Sequence, residues 1–132
     1  MRYLGVDYGT KRVGLALSDV EGKMAFPLRT VAVGSRLVPQ VISIIKEEKV
    51  DAVVLGDSRD FEGKENPLMR RVHSFRKELE EGIDAPIYFE PELFTSQEAQ
   101  RIQGKVPKLD ASAAALILQS FLDKQINMQH HE

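Results

Sequence analysis

Arg2-Tyr3-Leu4-Gly5-Val6-Asp7 reads as a strand, with apolar positions alternating before a terminal carboxylate. Tyr8-Gly9-Thr10-Lys11 reads as a tight turn in which Gly9 allows a positive φ. Val13-Gly14-Leu15-Ala16-Leu17-Ser18-Asp19 then reads as a second strand, so the chain opens on a hairpin. Glu21-Gly22-Lys23 is another turn signal, and Met24 to Val33 predicts a third strand, which Pro27 assigns to an edge or a strand start. Adjacent hairpins of this kind predict an antiparallel three-stranded unit.

The period then changes. Leu37, Val38, Val41, Ile42, Ile44 and Ile45 recur at helical spacing, with Lys46, Glu47 and Glu48 on the other side. Ser35 is the expected cap, and Pro39 fits in the first turn. Ala52-Val53-Val54-Leu55-Gly56 is a short apolar run suited to a strand buried on both faces. Asp57 to Glu65 is polar and contains glycine, which predicts a loop at the carboxyl end of that strand. Pro67 to Glu81 predicts a charged amphipathic helix with Leu68, Val72, Phe75 and Leu79 on one face and Gly82 at its end. Pro86-Ile87-Tyr88-Phe89-Glu90 predicts a fifth strand. Thr95-Ser96-Gln97-Glu98 resembles a capping box opening a short helix from Glu98 to Gln103, and Gly104 to Lys108 reads as a basic loop. Asp110 opens a last helix to about Ile126, with Leu116, Ile117, Phe121 and Leu122 expected against the sheet. Strands alternating with helices after a hairpin unit indicate an α/β domain with a mixed five-stranded sheet. One domain over 1–127 with a tail over 128–132 is the expected organisation.

Composition narrows the chemistry. A length of 132 residues suits a single core, and 42% hydrophobic with 29% charged residues is ordinary for a globular chain. The net charge of −2 gives no overall basic field, so contact with nucleic acid needs a local basic patch. The absence of cysteine excludes disulfides, thiolate zinc sites and cysteine nucleophiles. No apolar run approaches the roughly 18–20 residues that span a bilayer, and the start of the chain carries no signal-peptide pattern, so a cytoplasmic location is expected.

Three carboxylates fall at the ends of predicted elements: Asp7 after the first strand, Glu92 after the fifth, and Asp110 at the start of the last helix. Sites in α/β sheets collect at such ends. Magnesium and manganese prefer oxygen ligands, and converging carboxylates can hold two ions about 3.5–4 Å apart for attack on a phosphodiester. Lys11 and Arg12 follow Asp7 closely, which suits a metal beside a bound phosphate; Arg59, and more weakly Lys105 and Lys108, are further candidates for phosphate contact. Each acid also has a plain structural reading: Asp7 as a turn residue, Glu92 as a solvated loop acid, Asp110 as an N-cap. His73, His130 and His131 are scattered or terminal and read as surface residues.

The string Gly5-Val6-Asp7-Tyr8-Gly9-Thr10-Lys11-Arg12-Val13-Gly14-Leu15-Ala16-Leu17-Ser18-Asp19 resembles the opening of the YqgF family. Val53-Val54-Leu55-Gly56 is similar to that family's central strand, Glu92-Leu93-Phe94-Thr95-Ser96-Gln97-Glu98-Ala99 to its Glu-Arg-Leu-Thr-Thr-x-Glu-Ala segment, and Leu109 to Leu122 to its last helix. The family comprises Holliday-junction-resolvase-like proteins, also described as pre-16S rRNA nucleases, with an RNase H-like fold. The resemblance implies helices on both faces of the mixed sheet and a magnesium- or manganese-dependent endonuclease, with Asp7, Glu92 and Asp110 as metal-binding acids. It implies structured RNA, including pre-16S rRNA, or branched DNA as the nucleic-acid partner of a monomer or homodimer. The chain departs from the family where Pro91 and Leu93 replace the Asp and Arg that flank the glutamate, and where Asp57-Ser58-Arg59 follows Gly56.

Two other readings stand beside the nuclease. The altered neighbourhood of Glu92 suits a catalytically weak module of the same fold that binds RNA or a DNA junction. The Asp-x-Gly-Thr hairpin also resembles the phosphate hairpin of actin-like and sugar-kinase-like phosphotransferases. Those proteins close two such domains around a nucleotide, and this chain has length for one.

Overall fold

A computed structural model describes residues 1–57, 67–91 and 109–130, with the side chains of all of these except 109, 110, 129 and 130. The strands are β1 (Tyr3–Tyr8), β2 (Arg12–Ser18), β3 (Ala25–Ala32), β4 (Ala52–Asp57) and β5 (Ile87–Pro91). The helices are α1 (Leu37–Glu47), α2 (Pro67–Gly82) and α3 (Leu109–His130). The sheet order is β3-β2-β1-β4-β5. β1, β2 and β3 pair antiparallel in sequence order, while β4 runs parallel to both β1 and β5. This is the mixed five-stranded sheet that the alternation of elements predicts.

Strand alternation divides the core in two. Leu4, Val6, Val13, Leu15, Leu17, Val53 and Leu55 face one side, where α1 adds Leu37, Val41, Ile44 and Ile45 and α2 adds Met69, Val72, Phe75 and Leu79. Ala16 and Val54 face the other side, beneath Ala114, Ile117, Leu118, Phe121 and Leu122 of α3. Every residue of β4 is buried, as its unbroken apolar run requires of a strand covered on both faces.

Several local expectations are corrected. Met69 rather than Leu68 completes the buried stripe of α2, because the stripe extends back from Val72 by three positions, not four. Leu116 is 39% exposed and Leu118 takes its place, since Leu116 lies two residues from Ala114 and therefore off the buried stripe. Ser35 does not cap α1: the N-cap is Arg36, with no side-chain cap bond, and Leu37 N–H reaches Gly34 O at 3.2 Å. Gly9 has no positive φ; it is required because a Cβ there would lie 2.6 Å from the Arg12 carbonyl oxygen that accepts the Gly9 N–H. Among the described residues the left-handed glycine is Gly22, at φ +70°, in the β2–β3 turn. Asp57 closes β4, opposite Pro91, instead of starting a loop. α3 continues to His130. The expected loop over 58–65, the short helix over 98–103 and the basic loop over 104–108 lie outside the described residues.

The end of the opening motif is structural. The Ser18 hydroxyl accepts the Tyr3 N–H at 2.8 Å and donates to Asp19 O at 2.8 Å. The Asp19 carboxylate accepts the N–H groups of Lys23 at 2.7 Å and Met24 at 3.2 Å, closing the turn into β3. These donors, Lys23 N–H foremost, hold the Asp19 carboxyl below the ordinary aspartate value. A lowered folded-state value means that this turn's contribution is present above the unfolded-state pKa and is lost as pH falls through the folded one. An NMR titration of Asp19 is expected to give a midpoint below that of a peptide aspartate; an ordinary midpoint contradicts the turn geometry.

Gly5 fixes how closely α3 approaches the sheet. A Cβ at this position would lie 2.7 Å from Leu118 Cβ and 3.0 Å from Ala114 O. Gly5→Ala is therefore expected to destabilise the fold by about 1–3 kcal/mol, the range for overpacking a filled core. The check is the denaturant midpoint; an unchanged midpoint would mean that α3 retreats without cost.

Candidate active site

β1, β4 and β5 are mutually parallel, so their carboxyl ends meet at one edge of the molecule. That edge carries Asp7 and Tyr8 of β1, Asp57 of β4, and Glu90 and Pro91 of β5. Asp7 shares its strand face with Tyr3 and Gly5, the side covered by α3, and Tyr8 faces the other side, where it meets Phe75 at 5.4 Å between ring centroids. Asp7 pairs with Gly14 on β2. On β4, Gly56 follows Leu55, the partner of Val6, and therefore flanks Asp7 on the other side. Same-face neighbours on adjacent strands stand about 5 Å apart. Two glycines beside this half-buried carboxylate project no side chain toward it.

α3 runs antiparallel to β1 across this face. The Tyr3 ring lies 5.7 Å from that of Phe121, and two residues further along β1 the contact at Gly5 is with Leu118 and Ala114. Another two residues of strand, about 7 Å, lead to Asp7. One helical turn back from Ala114, about 6 Å along the axis, leads to Asp110. The helix thus carries its first turn toward the strand end that bears Asp7. The backbone of Asp110 is in that first turn; its side chain, and all of Glu92 and Arg59, lie outside the described residues. Lys11 and Arg12 are exposed at the start of β2 beside this edge, and Arg12 is engaged in a further interaction. Among the described residues no three carboxylate or histidine groups gather as a metal centre.

One buried acid was not legible in the sequence. Glu90, 3% exposed, points to the α3 side, where its Oε2 accepts the Ser120 hydroxyl at 2.8 Å and the Lys124 ammonium at 2.6 Å. Its partners lie 30 and 34 residues further along the chain, so no local pattern announces them. The pair fastens β5 to α3, the two elements that lead to Glu92 and from Asp110. Lys124 keeps its side chain 57% exposed, so the ammonium remains partly hydrated while Glu90 is covered.

The family model described as "RuvX: Holliday junction resolvase" matches residues 1–124. A protein of Nitratidesulfovibrio vulgaris (strain DSM 19637 / Miyazaki F), named "Putative pre-16S rRNA nuclease", is 36% identical over 133 residues, covering 93% of this chain and 94% of the relative. One of Caldanaerobacter subterraneus subsp. tengcongensis with the same name is 35% identical over 138 residues, covering 96% and 99%. Among solved structures, Thermus thermophilus RuvC in complex with a Holliday junction substrate superposes with a TM-score of 0.63 at 17% identity, covering 96% of each chain. The fowlpox virus resolvase with Holliday junction DNA gives a TM-score of 0.60 at 15% identity, covering 96% and 99%. At these identities the likeness is one of fold, and the fold is RNase H-like.

The Glu90–Lys124 contact generates a direct test. A double-mutant cycle with Glu90→Gln and Lys124→Met is expected to give a coupling energy within about 0.5–3 kcal/mol, measured by denaturant unfolding. Strict additivity would show that the 2.6 Å contact contributes nothing in solution.

Proposed function

The chain belongs to the RuvX family, and from that premise we propose that it is an endonuclease hydrolysing phosphodiester bonds in structured RNA, dependent on two Mg2+ or Mn2+ ions held by Asp7, Glu92 and Asp110. The observation that carries the reading is the antiparallel course of α3 along β1, which leads its first turn toward Asp7. The donor set fits the ions: it is all carboxylate, and hard divalent cations take oxygen ligands. The glycines flanking Asp7 are compatible with this, since neither places a side chain beside the carboxylate.

Bound at this site, such a metal pair supplies Lewis acidity that activates water and stabilises the leaving oxygen. The protein's part is positioning. Asp7 is presented by a central strand bonded on both sides, so its carboxylate is held with little reorganisation. α3 begins at Leu109, so Asp110 lies within its first turn and is not the expected N-cap, and from that turn it would serve as a ligand. Lys11, Arg12 and Arg59 neutralise substrate phosphates beside the acids, and the product carries a 5′-phosphate. RNA is favoured as substrate because relatives matched at about 35% identity over nearly their whole length carry the rRNA nuclease name. The resolvase likenesses speak for fold alone. The domain extends past 127, since α3 runs to His130, and the rRNA nuclease name of the relatives favours the cytoplasm as its place of work. Among the described residues no helix is long and apolar enough to cross a membrane. A second reading, a binding module with weak catalysis, is favoured by Pro91 and Leu93, where the family has Asp and Arg.

Cleavage of structured RNA and of four-way DNA, with magnesium and with manganese, tests this. Asp7→Asn is expected to lower RNA cleavage by about two orders of magnitude or more, the scale of losing one group that stabilises transition-state charge. Binding without cleavage in either metal would establish the second reading, and preferential cleavage of the junction would overturn the RNA assignment. Asp110→Asn separates a structural role from a ligand role, because it keeps the shape of the side chain and removes its charge. The fold is expected to survive with cleavage lost; full activity would remove Asp110 from the set.

A further inference from the structure

Two grooves adjoin at the same edge of the molecule, on the face opposite α3. The first, about 410 Å³, lies between α1 and the start of α2 and is lined by Tyr8, Leu37, Val38, Arg70 and Arg71. The second, about 490 Å³, lies between the edge strand β3 and the start of α1, with Arg29 and Arg36 on its walls. Val33 and Gly34 line both, so the two form one channel. Tyr8, at its inner end, is the residue after Asp7.

The channel's charge is one-sided. Arg29, Arg36, Arg70 and Arg71 are all exposed, and Glu78 is the one acid among the described lining residues. Among the described residues none of these four guanidinium groups makes a hydrogen bond or ion pair, whereas Arg2 and Arg76 each do. Such a concentration of unpaired cation on a chain of net charge −2 is unfavourable by itself and becomes favourable with a polyanion in the groove. Arginine suits phosphate in particular, through its planar pair of donors. The floor has the other half of the pattern: Tyr8, Leu37 and Val38 are aromatic or aliphatic. A duplex presents chiefly phosphates to a groove, while an unpaired strand also offers bases to an apolar floor.

We infer that this channel binds an unpaired RNA strand flanking the cleavage site, with its phosphates on the four arginines and its bases toward the partly exposed Tyr8 and Val38. The inference rests on the reading of the protein as an RNA nuclease. It makes the α1–α2 face a substrate surface, distinct from the α3 face that carries the acids.

The test measures binding to a blunt RNA hairpin and to the same hairpin with a single-stranded extension, across a salt series, using Asp7→Asn protein so that RNA stays intact. The extension is expected to tighten binding. Replacing Arg36, Arg70 and Arg71 together by Gln is expected to abolish that gain and to make the log–log salt slope for extended RNA shallower by about 2, at roughly 0.7 per single-strand phosphate contact. Blunt-hairpin affinity should be retained, and Lys77→Gln, on the exposed side of α2, should change neither. If the triple variant fails to fold by circular dichroism, the single variants Arg36→Gln and Arg71→Gln are expected each to reduce the slope by about 0.7. Wild-type protein that cleaves RNA while the variants keep both gain and slope overturns the channel alone. Loss of affinity confined to four-way DNA overturns the unpaired-RNA assignment. Wild-type protein that neither binds nor cleaves RNA overturns the channel together with the nuclease reading.

Discussion

The contact between Gly5 and α3 is the constraint on which the rest depends. With no side chain at Gly5, the helix settles onto the central strand until Leu118 and Ala114 occupy the space a Cβ would need. Tyr3 against Phe121 then fixes the helix's direction, and β1 and α3 become a single antiparallel unit. Any residue in the first turn of α3 has its location set by a packing contact one to two turns away. In this way apolar packing, which has no directional chemistry, sets the course of α3 and the direction of its first turn relative to the end of β1. The Glu90–Lys124–Ser120 contact adds a second, polar attachment between the same helix and the neighbouring edge strand. Together the two attachments limit both sliding and rocking of α3.

The two faces of the sheet take on separate tasks for the same reason. Alternation along β1 sends Asp7 to the α3 side and Tyr8 to the α1–α2 side, so consecutive residues lead to an acidic location and to a basic channel. Opposite charges would neutralise one another if they shared a face. Asp7 and the exposed arginines of the channel thus lie on opposite faces of the sheet.

Much of this fold was legible because its signals are local. The hairpins, the apolar run of β4 and the stripe of α1 follow from alternation, period and length, and the sheet order adds the usual crossovers. Where two helical registers are both compatible with the spacing, as with Leu68 and Met69, sequence cannot choose, because the choice is made by the sheet beneath. Gly9 was recognised as special for the wrong reason: its backbone is ordinary, and the need is for close approach to Arg12 O. The place of Asp7 at the carboxyl end of the first strand was legible from the hairpin pattern. Glu90 was not, since burial of an acid at the end of a strand depends on partners in α3. The arginine channel was equally hidden, because β3, α1 and α2 contribute to it from three separate stretches of chain.

A divalent ion shared by the end of β1 and the first turn of α3 can be tested directly. Paramagnetic broadening of backbone amide signals by Mn2+ reads proximity to the ion without reference to catalysis. Substoichiometric Mn2+ is expected to broaden the amides of Asp7 and of residues 110–113 together, to leave Phe26 on the far edge sharp, and to lose this pattern in Asp7→Asn. Broadening at only one of the two segments, or a pattern unchanged by Asp7→Asn, would contradict it.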